Sequence, residues 1–188
     1  FKFKNFKRSW GWAHNISSLM VPINLYDSIE IKETNADVDK IQFDKEGISE
    51  ENTISKSLNL LRNRSNLPGF FHIIIKKNIP IEAGLGGGSS NAAGIISTLT
   101  KKYNIQMPTY REIAVNVGSD VPFFITGKPA NIFGIGDIVN PSNFQKDINM
   151  ILVVPNERIS TKDAFSMFDK LSQDNLEINE YEELKIFN

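Results

Sequence analysis

The sequence predicts a chain of interleaved strands and helices. Three observations carry that prediction. Ile29 and Ile31 alternate with Ser28, Glu30 and Lys32, the period of a half-buried strand. Ile54, Leu58 and Leu61 share one face of a helix. Finally, the β-branched and aromatic run at 70–75, a glycine-rich segment and the helically spaced Ala92, Ile95, Ile96 and Leu99 follow one another directly.

Taken in order, residues 17–33 read as two strands around a turn at Tyr26-Asp27-Ser28, a hairpin or meander. Ser49, followed by Glu50 and Glu51, signals the start of a helix over 50–64, which Asn66-Leu67-Pro68-Gly69 ends. Residues 70–75 form a buried strand, and His72 within it reads as a satisfied core or edge histidine rather than a ligand. The next helix ends near Lys101 and Lys102, cations suited to a helix C-terminus. Pro108 and Thr109 open a short helix carrying Ile113 and Val117, closed by Gly118. Residues 121–125 and 130–133 read as extended segments about a Thr126-Gly127-Lys128-Pro129 turn, although Pro122 argues against a central strand. The cluster Asn140-Pro141-Ser142-Asn143 marks a domain boundary, with domains expected at 1–143 and 144–188. The apolar run 148–154 reads as a strand, and 163–171 as a helix before an acidic tail. These are too few elements to close a second core.

Composition narrows the function. With 188 residues, 40% hydrophobic and 23% charged, the chain sits in the ordinary globular range. Its 21 Lys plus Arg against 22 Asp plus Glu leave a net charge of -1, so no global field gathers nucleic acid or anionic lipid. The absence of cysteine excludes disulfides, thiolate zinc and thiol catalysis, and two histidines make no transition-metal set. The longest apolar runs fall far short of the roughly 20 residues that span a bilayer. The expected partner is a small molecule, with neither nucleic acid nor membrane; the oligomeric state is left open.

The informative segment is Pro80-Ile81-Glu82-Ala83-Gly84-Leu85-Gly86-Gly87-Gly88-Ser89-Ser90-Asn91-Ala92-Ala93. Glycines at 84, 86, 87 and 88 allow positive φ and bring backbone N–H groups close to a ligand, while the following helix directs its unpaired N–H groups to the same place. An anion, most simply a polyphosphate, fits there. Ser89 and Ser90 either cap the helix or donate to phosphate or magnesium. The pattern G-x-x-x-x-G-K-[ST] is absent, and G-x-G-x-x-G meets Ser89 where its last glycine belongs.

The same run resembles the phosphate-binding motif of the galactokinase, homoserine kinase, mevalonate kinase and phosphomevalonate kinase superfamily. Its triple glycine is most similar to the kinases of 4-diphosphocytidyl-2-C-methyl-D-erythritol. Further segments agree in order: His14 with 18–29, Glu51-Asn52-Thr53-Ile54 at an adenine-side helix start, Gly118-Ser119-Asp120-Val121-Pro122-Phe123-Phe124 at the catalytic aspartate, and the turn Gly134-Ile135-Gly136-Asp137. The resemblance spans about residues 14–170.

It implies an α+β two-domain small-molecule kinase. The N-terminal domain has a mixed sheet and packed helices, and the C-terminal α+β domain is only partly present. The implied reaction is ATP-dependent phosphorylation of the 2-hydroxyl of the cytidine-diphosphate-linked methylerythritol, in the non-mevalonate route to isoprenoid precursors. Mg is expected with ATP; metal ligands are not assigned. Asp120 is the implied catalytic carboxylate, Asn52 and residues 80–90 the ATP site, and His14, Trp12, Thr161 and Phe165 the substrate side. Phe165 with Phe168 and Leu171 also reads as an amphipathic stripe, and Trp12 equally as packing, since Ala13 stands where the family has its stacking aromatic. The family's N-terminal lysine segment aligns before Phe1 and its second glycine motif after Asn188, so a longer protein is expected. A same-fold kinase with another acceptor and a catalytically impaired nucleotide binder are the alternatives. The implied setting is the bacterial cytoplasm, with plastid stroma as the other home of the pathway.

Overall fold

The computed structural model describes residues 2–3, 16–106, 109–144, 148–154, 163–164, 166–167 and 170. They divide into two compact units, one reaching Ile81 and resuming over Leu85–Ile151, the other made of Glu82–Gly84 and residues from Leu152 onward. The first unit contains two sheets. One is antiparallel, in the order β1 (Lys2–Phe3), β2 (Ile16–Met20), β6 (Ala130–Gly134) and β7 (Ile138–Pro141). The other is mixed: β5 (Phe70–Lys76) lies between antiparallel β3 (Ser28–Thr34) and parallel β4 (Lys40–Phe43).

Register explains the core face of the mixed sheet. Ile29 pairs with Ile75, which pairs with Phe43; Ile31 pairs with Ile73, which pairs with Ile41. Two apolar rows therefore lie on one face, since alternate residues of each strand point the same way. Against them pack α1 (Thr53–Ser65), α2 (Gly87–Lys102) and α3 (Thr109–Val117), which contribute Ile54, Leu58, Leu61, Ile95, Ile96, Leu99 and Ile113 to the core. The opposite face carries Lys32, His72 and Lys40 in one row. His72 thus sits on the central strand rather than an edge, and its Nε2 is buried without a hydrogen-bond partner.

Parallel pairing requires a crossover, and α1 supplies it between β4 and β5. Its far end is pinned by Asp39, whose carboxylate takes both bonds from the Arg62 guanidinium at 2.6 Å and the Phe71 N–H at 2.8 Å. Arg62 lies 4.5 Å from the Phe70 ring centre. Asn66, at φ 51, stops the helix in the left-handed region, which Asn tolerates.

Several sequence expectations are corrected. The strands expected as one hairpin over 17–33 fall in different sheets, β2 pairing with β6 and β3 with β5. Half-burial alternation fixes a strand's period, not its partner. Helix α1 begins at Thr53 because Asn52, not Ser49, caps it. Residues 121–126 form a helix, α4 (Val121–Thr126), rather than a strand: Pro122 occupies a first-turn position, where its missing N–H costs nothing. Residues 148–154 carry no strand, and Ile151 and Val153 are 92% and 80% exposed. The described positions of the expected 163–171 helix are helical. No helix among the described residues is long and apolar enough to cross a membrane.

Leu61 has no exposed surface and lies at the centre of the main core. Leu61→Ala is expected to cost about 2–5 kcal/mol in urea denaturation, whereas Ala at the exposed Asn63 should stay within roughly 0.5 kcal/mol.

Candidate nucleotide-phosphate site

The strand β5 runs through Lys77-Asn78-Ile79-Pro80 into the glycine segment and then α2, in the order the sequence predicts. The entry to α2 is unusual. Its N-cap is Gly86 at φ 66, and no side chain caps it. The first intrahelical bond is Ser90 N–H to the Gly86 carbonyl at 2.8 Å, so the N–H groups of Gly87, Gly88 and Ser89 precede the ladder. Three orphan donors and a positive dipole end therefore converge, with no capping side chain among the described residues.

The serines do not supply that acceptor. Ser90 turns its hydroxyl back into the helix, donating to the Gly87 carbonyl at 2.9 Å. Ser89 stands in the first turn, and its Oγ lies 3.8 Å from the place a Cβ on Gly118 would occupy. Upstream, Glu82 takes φ 57 and Gly84 φ 69. Glu82 is exposed and holds a conformation that side chains other than Asn and Asp seldom adopt.

The glycines are needed for approach as well as conformation. A Cβ on Gly86 would lie 2.7 Å from two carbons of the Phe124 ring, and one on Gly87 would lie 3.0 Å from Ile79 Cγ2. Phe124 belongs to α4, so the aspartate motif and the glycine motif are packed together.

Asp120 immediately precedes α4, at φ -86 and ψ -14, and its side chain does not cap the helix. Burial pushes its carboxyl above the usual carboxylate range; the Ser119 hydroxyl, 3.4 Å away, opposes this without reversing it. The turn at 134–137 closes over this segment, since a Cβ on Gly136, at φ 107, would come within 3.2 Å of the Ser119 carbonyl oxygen. Asp137 holds that turn by accepting the Ile135 N–H at 3.1 Å.

Asn52 lies at the start of α1, as the motif order suggests, but its amide is occupied. Oδ1 accepts from the N–H groups of Ile54 and Ser55, and Nδ2 donates to the carbonyls of Ser49 and Glu50. Two further ties were not legible as functional: Thr53 donates its hydroxyl to the Gly88 carbonyl at 2.8 Å, and Lys56 reaches the Val117 carbonyl at 3.0 Å. One turn of α1 thus touches both the glycine helix and the approach to Asp120. His14, Trp12, Thr161 and Phe165 lie outside the described residues. Among the described residues there is no cluster of three or more His, Asp or Glu suited to a metal.

Residues 52–128 match the family described as GHMP kinases N terminal domain. The 4-diphosphocytidyl-2-C-methyl-D-erythritol kinase of Clostridioides difficile (strain 630) is 35% identical over 168 residues. That alignment covers 87% of this chain and 56% of the relative. Over these residues the chain is similar to the GHMP kinases. The similarly named protein of Prochlorococcus marinus (strain MIT 9301) is 38% identical over 175 residues, 90% of this chain and 56% of its own length. The chain therefore spans about half the length of the curated relatives it matches. A crystal structure of 4-(cytidine 5'-diphospho)-2C-methyl-D-erythritol kinase superposes with TM-score 0.59 at 30% identity, covering 69% of this chain and 46% of that one. Mevalonate pyrophosphate decarboxylase from Streptococcus pyogenes, at 12% identity and TM-score 0.52 over 87% of this chain and 62% of its own, shares the fold. The GHMP α+β fold expected from the motifs is the one found.

The packing of Gly86 makes a direct prediction. Gly86→Ala should destabilise by about 1–3 kcal/mol, and Phe124→Leu in the same protein should relieve the collision but not the backbone strain, leaving thermal stability only partly recovered. Asn52→Ala should cost about 0.5–2 kcal/mol in the same measurement through loss of the cap.

Proposed function

We propose that this chain is the nucleotide-side part of an ATP-dependent kinase that phosphorylates the 2-hydroxyl of 4-diphosphocytidyl-2-C-methyl-D-erythritol. One observation carries the reading: the uncapped start of α2 and the segment bearing Asp120 are packed side by side through Gly86, Phe124, Ser89 and Gly118. Phosphoryl transfer asks for positioning and charge stabilisation more than covalent chemistry, and these two features supply both. The names of the matched relatives support this choice of acceptor.

In this reading the phosphates of ATP lie against residues 80–90, with the N–H groups of Gly87, Gly88 and Ser89 donating to phosphate oxygens. A glycine entry that leaves no room for Cβ lets the backbone itself reach the anion. Mg2+ would be held chiefly by the phosphate oxygens. Asp120 orients the acceptor hydroxyl and takes its proton as that oxygen bonds to the γ-phosphorus, while the bridging oxygen leaves with ADP. Asn52 contributes by capping α1 beside the nucleotide, and His14, Trp12, Thr161 and Phe165 serve the cytidine and its sugar alcohol. Residues 1–143 form the nucleotide-side domain and 144–188 open the substrate-side one.

The test is ADP release by the full-length protein with ATP, Mg2+ and, in parallel, the cytidylyl acceptor, homoserine and mevalonate. Turnover confined to the cytidylyl compound is expected. Turnover only with another acceptor would move the specificity, and ATP binding without turnover would make this a catalytically impaired relative.

Asp120→Asn should lower kcat by roughly 10²–10⁴-fold while leaving ATP affinity unchanged. Because burial raises the folded-state pKa of Asp120, the native protein holds a proton more tightly than the unfolded chain, and this residue's contribution to stability falls as pH rises through that range. The inactive Asn variant is therefore expected to melt at a higher temperature than the parent at pH 7. The acid limb of the parent's kcat/KM profile should lie above the usual carboxylate range.

A further inference from the structure

A buried ion pair joins β3 to the exit of β5. The side chains of Asp27, just before β3, and Lys77, just after β5, are 1% and 6% exposed and pair through Oδ2 and Nζ. The other carboxylate oxygen, Oδ1, accepts the N–H groups of Asn78 and Ile79, each at 2.8 Å. Asn78 completes the junction by donating its side-chain amide to the Tyr26 carbonyl at 2.8 Å. Burial alone would push the Asp27 carboxyl up, but the Lys77 ammonium and the two N–H groups outweigh it and hold the group below its ordinary value.

This cluster reaches the first residue of α2. The place a Cβ on Gly87 would take is 3.1 Å from Lys77 Nζ and 3.0 Å from Ile79 Cγ2. The two residues that seat the helix start are thus two that Asp27 holds.

Stability does not account for the arrangement. A buried ion pair is commonly no more stable than a neutral pair of the same shape, and a cation beside a helix N-terminus opposes the dipole. What the pair does supply is direction, because three charge-assisted bonds to one carboxylate leave little freedom in where Lys77 and Ile79 stand.

Resting on the reading of α2 as the seat of the ATP phosphates, we infer that Asp27 is a positioning residue for phosphoryl transfer. Through Lys77 and Ile79 it sets where the uncapped N–H groups at the start of α2 stand, without touching substrate itself. A loop that must meet phosphate with backbone N–H groups has no side-chain reach to absorb an error in the position of its helix, so the correction is made from behind.

The experiment uses the full-length protein, with a fluorescent ATP analogue for binding and steady-state kinetics for KM and kcat. Asp27→Asn should raise KM for ATP roughly tenfold, the scale of one charge-assisted hydrogen bond, with the acceptor's KM unchanged. Should that variant fold poorly, Asp27→Asn combined with Lys77→Met provides a neutral pair of similar volume. This double variant is expected to regain the parent's melting temperature while keeping the raised KM for ATP. Recovery of KM together with melting temperature would make the pair structural only and overturn the inference, as would an unchanged KM in a folded Asp27→Asn protein. Failure of the parent itself to bind the analogue would instead overturn the ATP reading and this inference with it.

Discussion

The start of α2 is left without a cap, and much of the first unit is arranged around that vacancy in the hydrogen-bond ladder. A helix end normally satisfies its first N–H groups with a side-chain oxygen, at a gain of about 0.5–2 kcal/mol. Here the chain enters through a left-handed glycine, and the two serines that could cap it sit one turn too late. The sacrifice is compensated on every side by contact. Phe124 covers Gly86, Ile79 and Lys77 border Gly87, and Thr53 bonds the Gly88 carbonyl. The donors are packed from behind and left uncapped, the arrangement electrostatic preorganisation for an anion would require.

Asp120 shows the same logic in a single side chain. Its carboxyl stands at the head of a helix yet makes no cap, and its burial favours the neutral form. Such a group is poorly placed for the fold, and the reading of it as the proton acceptor gives its place a reason. Local rules tend to be broken where chemistry is done, and both departures fall within the stretch matched by the family.

How much of this was legible in the sequence depends on the range of the interaction. The order of strand, glycine loop and helix over 70–102 was readable, because period, β-branching and glycine are local signals. Partners were not: β2 and β3 look like neighbours along the chain, but β2 lies between β1 and β6 while β3 pairs with β5, and both β6 and β5 are more than 35 residues away. Residues 121–126 misled because Val, Phe and Ile favour strands, and the decisive clue, Pro122 in a helical first turn, is compatible with either an edge strand or a helix start. The candidate site was visible as two motifs, Gly84 to Ser90 and Gly118 to Phe124. That Phe124 is the contact joining them, or that Asp27 at the start of the neighbouring strand holds the approach to the loop, has no signature in spacing.

Phe124 also belongs to both hydrophobic clusters. It packs against the core beneath the mixed sheet and against the small one formed by Phe123, Ala130 and Ile132 under the antiparallel sheet. A single ring is thus a shared wall between two compartments and the roof over Gly86. Sequence drift in either compartment is transmitted to the glycine turn, so neither core is free to change its volume independently. Tolerance to substitution near the glycine turn is therefore set by contact with that ring as well as by burial.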